Sequence, residues 1–174
     1  MGRQQPRHAR AEHDIAARSG QNRAMPAEIL FYHMTRQPLD AVLPSLVEKS
    51  LGRGWRVVIQ SGNPERVSAL DTLLWAYDEA SFLPHALAAD AGPDEPVVIA
   101  SDATNPNGAA IRFLVERAPL PDDLAQYDRV VIMFDGNDDE AVAEARDHWK
   151  SVKAQGLAGT YWQQDEDGRW NKKA

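Results

Sequence analysis

Apolar residues recur along this chain in two periods, and the switches between them mark the elements. From Ala27 to Met34 the chain is near-continuously apolar, the pattern of a strand buried on both faces of a parallel sheet. Val42, Leu43, Leu46, Val47 and Leu51 then repeat at helical spacing, and Gly52 and Gly54 close that helix. Pro44 fits only near a helix start, so this helix is expected to begin at about Asp40 or to kink. Trp55 to Gln60 reads as a second strand. Asn63-Pro64 supplies an N-cap and a first-position proline for the next helix, whose stripe is Val67, Leu70, Leu73, Leu74 and Tyr77. Ala91 to Pro96 is turn-rich, and Asp102 to Gly108 is a loop. Val97 to Ala100, Ile111 to Val115 and Val130 to Phe134 are further strands. A helix follows from about Asp139 to Gln155. Tyr161-Trp162-Gln163 and Arg169-Trp170-Asn171 flank Asp167-Gly168 as a terminal hairpin. The fold expected is three-layer α/β: a mostly parallel twisted sheet with helices on both faces and a C-terminal hairpin.

Two side-chain groups do not serve this pattern. At about 100° per residue, Trp75 lies roughly 140° from the centre of its helix stripe. Phe82, Leu83 and Pro84 follow, past a polar break at Asp78-Glu79. Either these residues pack on a second surface inside the domain or they face a partner. The last helix carries the second group. Its apolar stripe is Val142, Ala145, Trp149 and Val152. Arg146, Lys150 and Lys153 fall within roughly 60° on one flank, while Glu140, Glu144 and Asp147 fall on the far side. Cations suit a helix C-terminus, which accounts for Lys150 and Lys153 better than for Arg146. The alternative is a binding patch.

Charge sharpens that alternative. Residues 1–24 carry five arginines against Glu12 and Asp14, a charge of +3, which leaves −10 on the remainder of a chain of net −7. An acidic body disfavours non-specific duplex binding, so an anionic partner must meet a local cation cluster. Residues 1–24 lack apolar periodicity and a central apolar region. They are expected to be a disordered leader, from an upstream start or an expression remnant, with one domain over residues 25–174. The chain has no cysteine and no apolar run long enough to cross a bilayer, which fits a cytoplasmic protein.

A doubly wound sheet raises the prospect of a nucleotide site, but the first strand is followed by His33-Met34-Thr35-Arg36-Gln37, without a glycine to admit a phosphate. No G-x-x-x-x-G-K-[ST] motif occurs. The acids from Asp135 to Glu140 lack EF-hand spacing and suit a helix N-terminus. Asp165-Glu166-Asp167-Gly168 reads as a turn. His85 is expected to pack or to stabilise its loop. No nucleophile, base and orienting group stand together, so no catalytic residue, metal or cofactor is expected. The competing reading is a small doubly wound nucleotide-binding protein or hydrolase with an atypical loop.

The block Leu70-Asp71, Leu74-Trp75 and Ser81-Phe82-Leu83-Pro84-His85 resembles the signature of the chi subunit of bacterial DNA polymerase III. Phe31-Tyr32, Arg56-Val57-Val58-Ile59 and Ala145-Arg146-Asp147-His148-Trp149-Lys150 resemble that family's other landmarks, in the same order. The resemblance spans Ala27 to Trp162. It implies a non-catalytic accessory subunit of the holoenzyme, acting in DNA replication. Such a subunit links the clamp loader, through psi or an equivalent partner, to the acidic C-terminal tail of single-stranded DNA-binding protein, and so meets single-stranded DNA indirectly. Carried over by position, the psi contact maps to Trp75, Phe82, Leu83 and Pro84. The tail contact maps to Arg146, Trp149 and Lys150, with Lys153 added from the helix wheel. The family has further cations where this chain has Val142 and Glu144, so its tail site is expected to be weaker or shifted.

Overall fold

The computed structural model describes residues 27–77 and 83–174. The expected leader and Phe82 lie outside them. The described residues build one eight-stranded sheet in the order β3-β4-β2-β5-β6-β1-β7-β8. Its strands are β1 Glu28–Met34, β2 Val57–Ser61, β3 Ala86–Leu87, β4 Val97–Ala100, β5 Ile111–Val115, β6 Arg129–Asp135, β7 Ala158–Gln164 and β8 Trp170–Lys172. All neighbouring pairs are parallel except β7 and β8, the expected hairpin, where Trp162 stands opposite Lys172 and Gln164 opposite Trp170. The sequence pattern assigns no strand at β3, whose short run Ala86-Leu87-Ala88-Ala89 has no β-branched or aromatic residue. β3 is held at the sheet edge by β4 alone, with Ala86 beside Val98 and Leu87 beside Ile99.

The helices are α1 Leu39–Gly52, α2 Val67–Ala76 and α3 Asp139–Ala154. α1 and α2 cover one face, where Val42, Leu43, Val47, Leu70 and Leu74 meet Val57, Ile59, Phe113 and Val131. α3 covers the other, where Ala141, Ala145 and Val152 meet Ile29, Phe31, Val130 and Ile132. The three layers are therefore present.

Element ends differ from the sequence pattern for local reasons. α1 runs through Pro44, placing the proline in its second turn, where the missing N–H removes the bond to the Asp40 carbonyl. The second strand begins at Val57 rather than Trp55, because the Trp55 N–H is spent on the Ser50 carbonyl at the end of α1. Asn63 caps as expected, its Oδ1 accepting from Glu65 N at 3.1 Å. The first turn is a 3-10 turn, Pro64–Arg66, that passes into α2. Asp138 caps α3, accepting from the Glu140 and Ala141 N–H groups. Asp165 Oδ1 accepts from Asp167 N and Arg169 N, the expected turn at the hairpin tip.

Candidate functional site: two partner-facing surfaces

The first surface is built at the end of α2. Leu70 and Leu74 are buried, which turns Trp75 away from the sheet and leaves it 55 % exposed. Its ring does not stand free: the centroid lies 4.6 Å from that of His85. His85 is buried, with Nδ1 2.6 Å from the Leu83 carbonyl oxygen. Its Nε2 is 3.0 Å from Asp71 Oδ1, close enough for charge pairing though poorly aligned for a hydrogen bond. His85 thus ties the returning chain to α2 and props the Trp75 ring, the loop-stabilising role expected of it.

Leu83 departs from the expectation. The resemblance puts it on this surface, but it is 3 % exposed and packs in the core with Leu70 and Leu74. Position in the Phe82-Leu83-Pro84 motif does not separate outward from inward side chains; the apolar contacts with Leu70 and Leu74 take Leu83 inward. Pro84 is half-buried. Tyr77, expected in the core, is half-buried against it.

The second surface is the cation flank of α3. Arg146 and Lys150 are exposed. Trp149 is half-buried, its ring edge-on to Phe31 at 5.2 Å and to Tyr161 at 6.1 Å. Lys153 Nζ lies over the same ring, 4.7 Å from its centroid. Among the described residues no carboxylate pairs with Arg146, Lys150 or Lys153. Two of the three acids of the opposite flank are engaged instead: Arg117 reaches from the turn after β5 to Glu140 and Glu144. Hydrogen bonding from Arg117 holds the Glu144 carboxyl below its ordinary range.

The sequence reading missed the floor beside this flank. His33 Nδ1 and the Tyr161 hydroxyl are 2.5 Å apart, across neighbouring strands β1 and β7. A Cβ at Gly136 would collide with the His33 ring, so the glycine is what lets the ring lie there. Burial pushes the His33 pKa down, and the Arg146 charge pushes it further. Burial pushes Tyr161 up, and Arg146 opposes it. Strand alternation was the available signal, since it puts Phe31, His33 and Tyr161 on the face that α3 covers.

The crevice at the carboxyl ends of the strands speaks to the nucleotide reading. It has a volume of about 570 Å³ and is lined by Glu116, Asp135, Asp138 and Glu144, with Arg117 already paired. Such a lining repels phosphate. The backbone is also pinched there. Glu116 and Arg117 both adopt positive φ, at 51° and 65°, and a side chain at Gly62 would strike the Glu116 carbonyl. Among the described residues no group of three or more His, Asp or Glu could hold a metal, and no helix is long and apolar enough to cross a membrane.

Residues 25–160 match the family described as DNA polymerase III chi subunit, HolC. The "Probable DNA polymerase III subunit chi" of Rickettsia prowazekii is 24% identical over 115 residues, covering 60% of this chain and 67% of that protein. The family match takes in β1, the end of α2 and the whole of α3. The chain belongs to the DNA polymerase III chi subunit family.

Proposed function

We propose that this chain is an accessory subunit that bridges a clamp-loader component to the C-terminal tail of single-stranded DNA-binding protein during DNA replication. The observation that carries the reading is the α3 flank. Arg146 and Lys150 stand exposed and unpaired with any described acid, beside a Trp149 ring capped by Lys153. An acidic peptide ending in an aromatic carboxylate can place its charges on the guanidinium and ammonium groups and its ring against Trp149. The net negative charge of the surrounding body opposes such a peptide, so local cations must dominate its attraction.

The Trp75 surface supports the other half of the bridge. A large ring more than half exposed at a helix end is a suitable interface anchor, and its neighbour His85 fixes its position. Psi, or the loader component that replaces it, is the partner assigned to this face. Each contact can be modest, because many tail copies on coated DNA raise the effective concentration. Capture of the purified chain by the tail peptide of single-stranded DNA-binding protein tests the reading. Failure of capture at low salt would refute the tail assignment.

A further inference from the structure

The face of the sheet opposite α3 is not covered to its end. On that face α1 rests on β2 and β6, and α2 on β3 and β4. β7 and β8 lie beyond them, while Leu30 and Met34 of β1 are buried in the cluster that holds α1, so that Tyr32 stands at the edge of the covered area. Alternation from Tyr161, which faces α3, turns Trp162 to this open side. Tyr32, Trp162 and Lys172 then form a cross-strand row, since Tyr32 is in register with Trp162 and Trp162 with Lys172. Trp170, two residues from Lys172, packs edge-on to Tyr32 at 4.8 Å. All three aromatic residues are half-exposed.

Cations border the row. The guanidinium carbons of Arg53 and Arg129 lie 5.2 Å and 5.3 Å from the centroid of the Trp55 ring. Both charges reach the Tyr32 hydroxyl, whose pKa burial raises and Arg129, then Arg53, pull back against Glu28. Glu28 takes Nη2 of Arg129 at 3.1 Å, while Nε meets no acceptor among the described residues. Arg53 and Lys172 are exposed. Four half-buried aromatic rings and three cations, one of them paired with Glu28, thus lie on this side of the sheet in a chain of net negative charge.

We propose that this β1–β7–β8 face, with Trp55, Arg53 and Arg129 at its border, binds single-stranded DNA directly. Flat rings on an open sheet stack on unpaired bases, while bordering cations meet the phosphates. Charge alone would serve a duplex as well, but stacked bases in a duplex offer no face to Tyr32, Trp162 or Trp170. The site lies on the opposite side of the sheet from α3, so it does not depend on the tail-binding reading.

The test is anisotropy of a labelled thirty-nucleotide oligo(dT) with the full chain, at low and moderate salt. The comparison ligands are a duplex of equal length, inorganic polyphosphate and the acidic tail peptide. Oligo(dT) is expected to bind at low salt, to weaken as salt rises, and to outcompete duplex and polyphosphate. Arg53→Glu with Lys172→Glu should weaken oligo(dT) at least tenfold while leaving tail-peptide binding unchanged. Tryptophan emission should be quenched on binding, and less so in Trp162→Leu. No oligo(dT) binding at low salt would overturn the proposal. So would equal affinity for polyphosphate, or a double charge reversal that weakens the peptide and spares the oligonucleotide. The last result would make the face a peptide site.

Discussion

Arg112 places Nε and Nη2 on a single oxygen, Gln60 Oε1, at 3.0 and 2.6 Å, inside the sheet where β5 lies beside β2. Its other bonds go to the Thr104 and Asp102 carbonyls and the Tyr127 hydroxyl. The guanidinium is fully buried and has five donors, and all five are used on neutral oxygens. It pins the loop from Asp102 to Thr104 over the strand ends.

Gln60→Leu should therefore leave two donors of a buried cation unpaired and cost about 3 kcal/mol of stability. Gln60→Leu combined with Arg112→Met should cost less than the two single changes added together, since it removes the buried charge with its acceptor. Urea denaturation of the four proteins measures this. Strict additivity would show that the pair is not coupled.

Trp75→Ala should leave the isolated protein's stability within about 1 kcal/mol of wild type, because the ring is largely outside the core. Leu74→Ala, one residue away and buried, should cost about 2–5 kcal/mol. In a pull-down with reconstituted clamp loader, Trp75→Ala should abolish association. A thermal midpoint that falls as far for Trp75→Ala as for Leu74→Ala would count against a partner role for the ring.

Arg146→Glu and Lys150→Glu should each weaken the tail peptide about tenfold or more, roughly 1.4 kcal/mol. The wild-type affinity should fall as salt rises, since both side chains are exposed. Neither lies on the α3 core stripe, so both variants should keep the wild-type circular dichroism spectrum. Titration of a fluorescent peptide at two ionic strengths reads the effect. Wild-type affinity in both variants would remove the tail assignment.

His33 and His148 both have pKa values held below 6.5, first by burial. A depressed folded-state value means the unfolded chain takes the proton first. Their contribution is complete above about pH 6.5 and is lost as pH falls through the unfolded value toward the folded ones. The urea midpoint should therefore drop between pH 7.5 and pH 5.5. His33→Gln with His148→Gln should flatten that drop. An unchanged pH slope in the double variant would assign the effect to other groups.

The periodicity of the chain determined its elements. Near-continuous apolar runs marked β1, β4, β5 and β6, and helical stripes marked α1, α2 and α3, because burial on two faces or on one leaves a direct trace in residue order. The wheel also separated Trp75 from the core and gathered Arg146, Lys150 and Lys153. What the wheel left open for Trp75, packing or exposure, was decided by tertiary structure, since only the buried Leu70 and Leu74 fix which way that helix faces.

The remaining features arise from contacts between residues far apart in the chain. The motif around Leu83 carries no signal of which way its side chain points, and the structure buries it. β3 exists only because β4 supplies its partners. Arg112 interrupts an apolar run and looks like an exposed position until Gln60 and Tyr127, 52 and 15 residues away, surround its charge. The Tyr32–Trp162–Lys172 row likewise needs β7 to insert between β1 and β8. Side-chain periodicity is local and survives in sequence order. Strand order and burial of a charge depend on long-range pairing, whose energy no single segment contains.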